Sequence, residues 1–187
     1  MNTTKVATTK SNYSTLDIAY IALGAALIAI CSWISIPTTV PFTLQTFAVF
    51  MILSLLGGKR GTLATLVYIL LGAVGVPVFA NFTGGLGVLL GSTGGYIIGF
   101  ILTGVIYIVY EKLFKKTLVG EIIALVLGLA VCYAVGTVWF IQVYSKANGA
   151  IGAMTALGWC VFPFIIPDLV KLVLAIVLAR RVRPVLR

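Results

Sequence analysis

The sequence predicts an all-α membrane protein with six transmembrane helices, an interpretation that starts from its composition. Hydrophobic residues make up 61% of the 187 positions, charged residues make up 9%, and the mean hydropathy is +1.17. Soluble domains are about 45–50% apolar and about 25% charged. A chain this short has too little interior to bury the excess apolar surface, which therefore faces lipid. This excludes a soluble enzyme, a disordered chain, a fibrous protein and a disulfide scaffold.

Six apolar segments are the candidate spans, since a transmembrane helix needs about 20 mostly apolar residues. Residues 1–15 are polar and are interpreted as a cytoplasmic tail rather than a signal peptide, followed by one transmembrane domain at 16–187. The second and third segments are short for a span. The predicted helices are roughly 16–36, 42–57, 61–75, 92–111 and 118–144, and a sixth that ends at Arg180 and Arg181.

The basic residues orient these six helices. With six spans, both termini share one side with the connections between helices 2 and 3 and between helices 4 and 5. That side holds 11 of the 13 lysines and arginines, the other side holds Lys146, and Lys171 lies within the membrane. Because cytoplasmic loops carry an excess of Lys and Arg, we expect both termini in the cytoplasm. The net charge of +9 then reflects topology and not nucleic-acid binding.

The residue types exclude several kinds of chemistry. The chain has no histidine, so it has no Ser-His-Asp unit and no histidine metal ligand. Cys31, Cys132 and Cys160 are far apart in apolar surroundings, which indicates small buried hydrophobic residues rather than a metal site. No GxxxxGK[ST] nucleotide-binding motif is present. We therefore expect a protein that is not an enzyme and that holds no metal or cofactor.

Asp168 and Lys171 are the strongest candidates for a ligand site. Counted back from Arg180, Lys171 lies about 14 Å and Asp168 about 18 Å into a hydrocarbon core about 30 Å thick. Their i, i+3 spacing puts them on one helix face, and ionisable groups at this depth should face a cavity or a partner. Pro167 suits the first helical position, which would put Asp168 beside the positive helix end. A purely structural ion pair is the alternative.

The three outer connections are apolar, and the predicted loop at 144–167 is the longest. The first reads IPTTVPFTLQ and the second GVPVFANFTGGLGVLLGSTGG. We expect these loops to fold back and cap a cavity, because irregular backbone at membrane depth is tolerated where it lines one. The glycines, Gly95 among them, are able to bring backbone N–H groups to a ligand, or else serve close helix packing. Uncharged polar candidates for an amide-like or ureido-like ligand are Thr43, Gln45, Asn81, Ser92 and Tyr96.

Helix 1 carries small residues at four-residue spacing, Ala22 with Ala26 and Ala25 with Ala29. Such a pattern allows another helix to approach closely. The partner helix is either part of this chain or part of another membrane protein.

Three segments together resemble a known family. VPFTLQTFAVF at 40–50, LLGAVGVPVFANFTGGLGVLLGSTGGYIIGF at 70–100 and PDLVK at 167–171 are similar to the BioY family. Its members are the biotin-specific substrate-binding (S) components of energy-coupling factor (ECF) transporters. The resemblance covers nearly the whole chain from about residue 16. The family usually has GPTGGY where this chain has GSTGGY, so Ser92 replaces a proline.

The resemblance implies an S-component fold in a bacterial plasma membrane that binds biotin from outside with high affinity. It implies a transmembrane coupling protein and two cytoplasmic ATPases as partners, and it likens the alanines of helix 1 to the docking motif for the coupling protein. It assigns ligand contact to Asp168 and Lys171, and less strongly to Gln45, Asn81 and Tyr96. In such a site Asp168 would accept from the ureido N–H groups, and Lys171 would either donate to the ureido oxygen or neutralise the carboxylate.

Three other functions are considered beside this one. A self-contained secondary carrier would use Asp168 as a proton-coupling carboxylate, although the sequence shows no inverted repeat. Two carboxylates in one pocket, or a histidine, would favour a membrane enzyme that acts on lipid, but the other acidic residues lie near the inner helix ends and the chain has no histidine. A structural subunit without a ligand would not need a buried Asp168 and Lys171.

Overall fold

The computed structural model describes residues 13–38 and 40–186, and the fold is almost entirely helical. Of the predicted tail at 1–15, residues 1–12 lie outside this part of the chain. Short 3-10 turns occur at Ala80–Phe82 and Arg183–Leu186. In chain order the elements are α1 (Thr15–Trp33), β1 (Ser35–Ile36), β2 (Phe42–Thr43), α2 (Gln45–Leu56), α3 (Gly58–Ala73), α4 (Leu86–Leu90), α5 (Gly94–Leu113), α6 (Leu118–Asn148), α7 (Ala153–Cys160) and α8 (Phe162–Val182).

Four helical segments in the described ranges are long and apolar enough to cross a membrane. They are Thr15–Trp33, Gly94–Leu113, Leu118–Asn148 and Ala153–Val185. The helices α2 and α3 have 12 and 16 residues. At 1.5 Å per residue they are about 18 and 24 Å long, shorter than a hydrocarbon core of about 30 Å. The helical membrane-protein class is confirmed, and the count of six spans stays a prediction.

Local sequence explains where several helices begin. Ser14 caps α1, because its hydroxyl accepts from the Asp17 N–H at 3.2 Å while the Asp17 carboxylate accepts from the Ser14 N–H at 2.9 Å. Thr117 caps α6 by accepting from the Gly120 N–H at 3.1 Å. Gly57 alone separates α2 from α3, and its φ of +84° is a left-handed conformation that favours glycine.

The antiparallel pair α5 and α6 packs closely through glycines. A Cβ added at Gly99 would lie 2.7 Å from the Cys132 sulfur, and one added at Gly128 would lie 2.6 Å from the Thr103 Cγ2. Both distances are too short for real carbon contacts, so these positions need glycine for the two backbones to approach this closely. This pairing holds one wall of the bundle in place.

Ion pairs gather at one end of the bundle, which we call the basic end. It contains the starts of α1, α3 and α6 and the ends of α2, α5 and α8, as the predicted alternation of helices requires. The Arg183 guanidinium also donates to the Ser54 carbonyl there. The three ion pairs are Arg60–Asp17 at 2.5 Å, Lys116–Glu111 at 2.8 Å and Arg180–Glu121 at 3.2 Å.

The structure corrects the predicted loop at 144–167. The helix α6 continues to Asn148, α7 follows at Ala153–Cys160, and α8 already begins at Phe162. The prediction that Pro167 occupies the first helical position is therefore wrong, since Pro167 lies inside α8 and another proline, Pro163, lies in its first turn. Asp168 consequently lies in the second turn, away from the positive helix end.

Candidate functional site

A cavity opens at the end of the bundle opposite the basic end. Its empty space is roughly 870 Å³, a volume that includes the open solvent at its mouth. Loops and helices together supply a largely apolar wall. Its apolar members include Val40, Pro41, Phe79, Val88, Ile97, Phe100, Leu129 and Phe164.

Asp168 and Lys171 face this cavity as an ion pair, with 2.8 Å between the Lys171 Nζ and the Asp168 Oδ1. Only 3% of the Asp168 side chain and 8% of the Lys171 side chain is exposed. A buried pair is tolerated only when hydrogen bonds satisfy the remaining donors and acceptors. The neighbouring elements supply those bonds.

Every donor of the Lys171 ammonium has an acceptor in the structure. Lys171 donates to the Thr43 carbonyl at 2.7 Å, to the Asp168 Oδ1 at 2.8 Å and to the Thr46 hydroxyl at 3.3 Å. An ammonium has three donors, so none is left over. Its nitrogen also lies 4.1 Å from the centroid of the Phe42 ring, within the range of a cation–π interaction.

The Asp168 carboxylate receives hydrogen bonds from three helices. Its Oδ1 accepts from the Thr46 hydroxyl at 2.9 Å, besides Lys171, and its Oδ2 accepts from the Tyr133 hydroxyl at 2.6 Å. Thr46 belongs to the first turn of α2 and Tyr133 to the middle of α6. A carboxylate oxygen accepts about two hydrogen bonds, so the Oδ2 keeps one acceptor position for a ligand.

Six of the eight predicted ligand residues line the cavity: Thr43, Gln45, Asn81, Tyr96, Asp168 and Lys171. Gln45 is buried and donates to the Tyr68 hydroxyl at 2.9 Å. The Tyr96 hydroxyl lies 3.0 Å from the Thr137 hydroxyl oxygen. Asn81 is exposed in a left-handed conformation at φ 56°, and its Oδ1 accepts from Ser35 at 2.9 Å. Their contact with a ligand stays a prediction.

Ser92 and Gly95 do not line the cavity, although the neighbouring Thr93 does. A Cβ added at Gly95 would lie 2.3 Å from the Trp139 Cβ. Gly95 therefore serves the close packing of α5 against α6, the alternative that its sequence context left open.

Three residues that contact the ion pair were missed by the sequence prediction, Phe42, Thr46 and Tyr133. Thr83 and Thr93, which line the cavity, were missed as well. Thr46 lies within the VPFTLQT segment, so its position beside Gln45 was an available signal. Tyr133 lies in a long apolar helix, where a tyrosine looks like an ordinary packing residue. Cys132 and Cys160 also line the cavity, and the prediction that all three cysteines are buried is confirmed.

The four alanines of α1 fall on two different faces. Ala25 and Ala29 are buried, with 3% and 7% exposure, whereas Ala22 and Ala26 are exposed. Of the four predicted docking alanines, Ala22 and Ala26 are therefore the two that are accessible at the surface of α1.

The chain is similar in sequence to proteins named as biotin transporters or probable biotin transporters. The chain is 46% identical to the biotin transporter BioY of Thermotoga maritima over 160 residues, which are 84% of this chain and 90% of that protein. It is 37% identical to a probable biotin transporter BioY of Pyrococcus horikoshii over 169 residues, 89% of this chain and 96% of that protein.

The fold is also similar to a solved structure, described as the S-component for biotin from an ECF-type ABC transporter. The TM-score is 0.78 at 30% identity, and the match covers 90% of both chains. The BioY family model matches residues 3–187. The resemblance first indicated by three short segments thus extends over nearly the whole chain, which belongs to the BioY family.

Proposed function

We propose that this chain is the biotin-binding S component of an ATP-dependent vitamin uptake transporter. The observation that carries the proposal is the buried Asp168–Lys171 pair facing a largely apolar cavity, in a chain of this family. Biotin has a polar ureido ring, an apolar thioether bicycle and a valerate carboxylate. The ion pair matches the polar ureido ring, and the apolar wall of the cavity matches the bicycle.

The ureido ring belongs at the ion pair. The Asp168 Oδ2 keeps an acceptor position for a ureido N–H. Lys171 reaches the ureido oxygen by giving up its longest hydrogen bond, the one of 3.3 Å to Thr46. The bicycle then packs on the apolar wall, and the valerate extends toward Asn81 at the exposed mouth.

The membrane arrangement of the proposal has six spans, both termini in the cytoplasm of a bacterium and the cavity facing outward. Two observations support it. The antiparallel helices bring the basic clusters of the sequence to one end, and the cavity opens at the other end. Because basic residues remain on the cytoplasmic side, the basic end faces inward.

The proposed partners are a transmembrane coupling protein and two cytoplasmic ATPases. The exposed Ala22 and Ala26 offer a flat surface for close helix approach by the coupling protein. ATP hydrolysis belongs to the ATPases. A proton-coupled carrier that works alone is the competing function, and it predicts uptake into vesicles that contain only this chain and no ATP.

Calorimetry with the purified chain in detergent tests the proposal. We expect biotin to bind, and we expect Asp168→Asn to lower the affinity by more than about hundredfold because it leaves the buried Lys171 charge without its counter-ion. The matched control is Glu111→Gln, which breaks an ion pair at the basic end, away from the cavity. Absence of biotin binding to the unmodified chain, or an equal loss in both variants, would contradict the proposed site.

A further inference from the structure

We infer that the cavity does not recognise the ligand's carboxylate by charge, so that amides of biotin, such as biotinyl-lysine, are ligands of the same site. The inference rests on the proposed function and extends its substrate class. It follows from the balance of charges around the cavity and from the chemistry of its mouth.

The charged residues that line the cavity within the described ranges are Asp168 and Lys171. They form an ion pair at 2.8 Å, so their charges cancel. The Lys171 ammonium is further committed to the Thr43 carbonyl at 2.7 Å, and its third donor, which lies 3.3 Å from the Thr46 hydroxyl, is the one assigned to the ureido oxygen. A ligand carboxylate placed beside this pair would meet the Asp168 charge as well as the Lys171 charge, with no net attraction.

The remaining cations of the described chain lie elsewhere. Lys146 is exposed near the end of α6 and does not line the cavity. The others belong to helix ends and connections on the basic side, across the bundle from the mouth. These are Lys59, Arg60, Lys112, Lys115, Lys116, Arg180, Arg181 and Arg183.

The mouth of the cavity carries neutral hydrogen-bonding groups. Asn81 and Thr83 are exposed there, and Thr93 is half-buried. The Asn81 Oδ1 is occupied by Ser35, whereas its Nδ2 has no acceptor among the described residues. An amide donor serves a carboxylate oxygen or an amide carbonyl oxygen equally well in geometry. Because the mouth is open, a substituent on the ligand's amide nitrogen extends into water.

Conversion of the valerate carboxylate into an amide therefore removes a charge that no cation of residues 13–38 and 40–186 opposes at the mouth. The carbonyl oxygen that faces Asn81 is retained, and the ureido end at Asp168 is unchanged. An interaction with an opposing cation would instead make the carboxylate essential, because charged hydrogen bonds are stronger than neutral ones.

The test is calorimetry of the purified full chain with biotin, biotinamide and biotinyl-lysine. We expect the three affinities to agree within about tenfold and to change little between low and high salt. An affinity for both amides more than about hundredfold below that for biotin would overturn the inference while leaving the proposed function intact. If biotin itself does not bind, the proposed function and this inference fall together.

Two variants of the chain test the same inference through the ratio of the affinities for biotin and biotinamide. Thr83→Lys adds a cation at the mouth, and we expect it to raise the preference for biotin over biotinamide by at least tenfold. Lys146→Ala removes the exposed cation in the last turn of α6, which does not line the cavity, and we expect an unchanged ratio of the two affinities. A selective loss of biotin affinity in Lys146→Ala would identify Lys146 as the carboxylate partner and would also overturn the inference.

Discussion

Asp168 accepts three hydrogen bonds, and the Lys171 ammonium donates three, all to groups within the protein. Burial of two charges is costly, and good geometry with complete hydrogen bonding is what offsets the cost. Each partner therefore fixes the direction in which the carboxylate points. We therefore expect the residues around the pair to affect ligand affinity, as the pair itself does.

A variant of Tyr133 tests whether the hydrogen-bond partners of Asp168 affect ligand affinity. The Tyr133 hydroxyl donates to the Asp168 Oδ2, the oxygen that we assign to the ligand. Tyr133→Phe removes one hydrogen bond to a charged group, which contributes about 1.5–3 kcal/mol. We expect biotin affinity to fall about tenfold or more by calorimetry. Tyr144→Phe is the control, since Tyr144 stacks on Phe140 and does not line the cavity. Equal affinity in both variants would leave Tyr133 with no role in the site.

A double variant separates a ligand-binding pair from a structural one. Lys171→Met alone leaves the Asp168 charge buried and unpaired, which typically costs about 3–5 kcal/mol. In the double variant Asp168→Asn with Lys171→Met, both charges are gone, so we expect the melting temperature to recover toward that of the unmodified chain. Biotin binding should stay lost. If the double variant recovered both its melting temperature and its biotin affinity, the role of the pair would be structural only.

At the residue scale, the sequence predicted site residues where a charged side chain lies in an otherwise apolar segment. A carboxylate and an ammonium in an apolar helix point to a site, and six predicted residues do line one cavity. Tyr133 and Phe42 gave no such signal, because aromatic side chains are common in apolar segments. Gly95 and Ser92 were grouped with the cavity by proximity in sequence, although helix periodicity turns Gly95 toward Trp139.

At the scale of elements, the apolar segments of the sequence predicted where the helices lie better than they predicted where each helix begins and ends. The segment at 144–167 contains glycines and prolines that favour a loop, yet it folds into the end of α6, α7 and the start of α8. Proline is compatible with the first turn of a helix, where its missing N–H has no partner in any case, and Pro163 lies there. The interior position of Pro167 could not be read from the sequence.

The two faces of α1 lead to a prediction about coupling. Ala22→Trp and Ala26→Trp add a large side chain to the exposed face, so biotin affinity in detergent should be retained while ATP-dependent uptake with the partner proteins in vesicles falls. Ala25→Trp is the matched control. Ala25 is 3% exposed, and over-packing a core position costs about 1–3 kcal/mol, so this variant should lose stability instead.

Two results would contradict this assignment of α1. Loss of affinity and uptake together in Ala22→Trp would place that residue in internal packing. Unchanged uptake in both exposed-face variants would mean that lipid covers this face and that the coupling protein docks elsewhere.

For the whole molecule, charge is distributed so that one end carries many ionic residues and the other end carries one exposed charge among the described residues, Lys146. Three of the four acidic residues pair with basic residues at the basic end, and the fourth, Asp168, pairs with Lys171. The sequence predicted this polarity from the positions of lysines and arginines alone. It could not predict which carboxylate meets which cation, because those contacts depend on how helices distant in sequence pack together.

Topology is tested by thiol labelling in membranes, after the three buried cysteines have been replaced by serine or alanine. Lys59→Cys lies at the basic end, so we expect it to react only with reagent supplied from the cytoplasmic side. Lys146→Cys should react from outside. The opposite pattern at either position would contradict the arrangement with six spans and cytoplasmic termini.

Mass spectrometry of the ligand released from the purified chain tests the central claim most directly. Protein produced in cells grown with biotin should release one small molecule with the mass of biotin or of a biotin amide, in near-equal amount to the protein. Asp168→Asn purified in parallel should release little or none. Release of a different small molecule from the unmodified chain, or of equal biotin from both proteins, would contradict the assignment of the cavity as a biotin site.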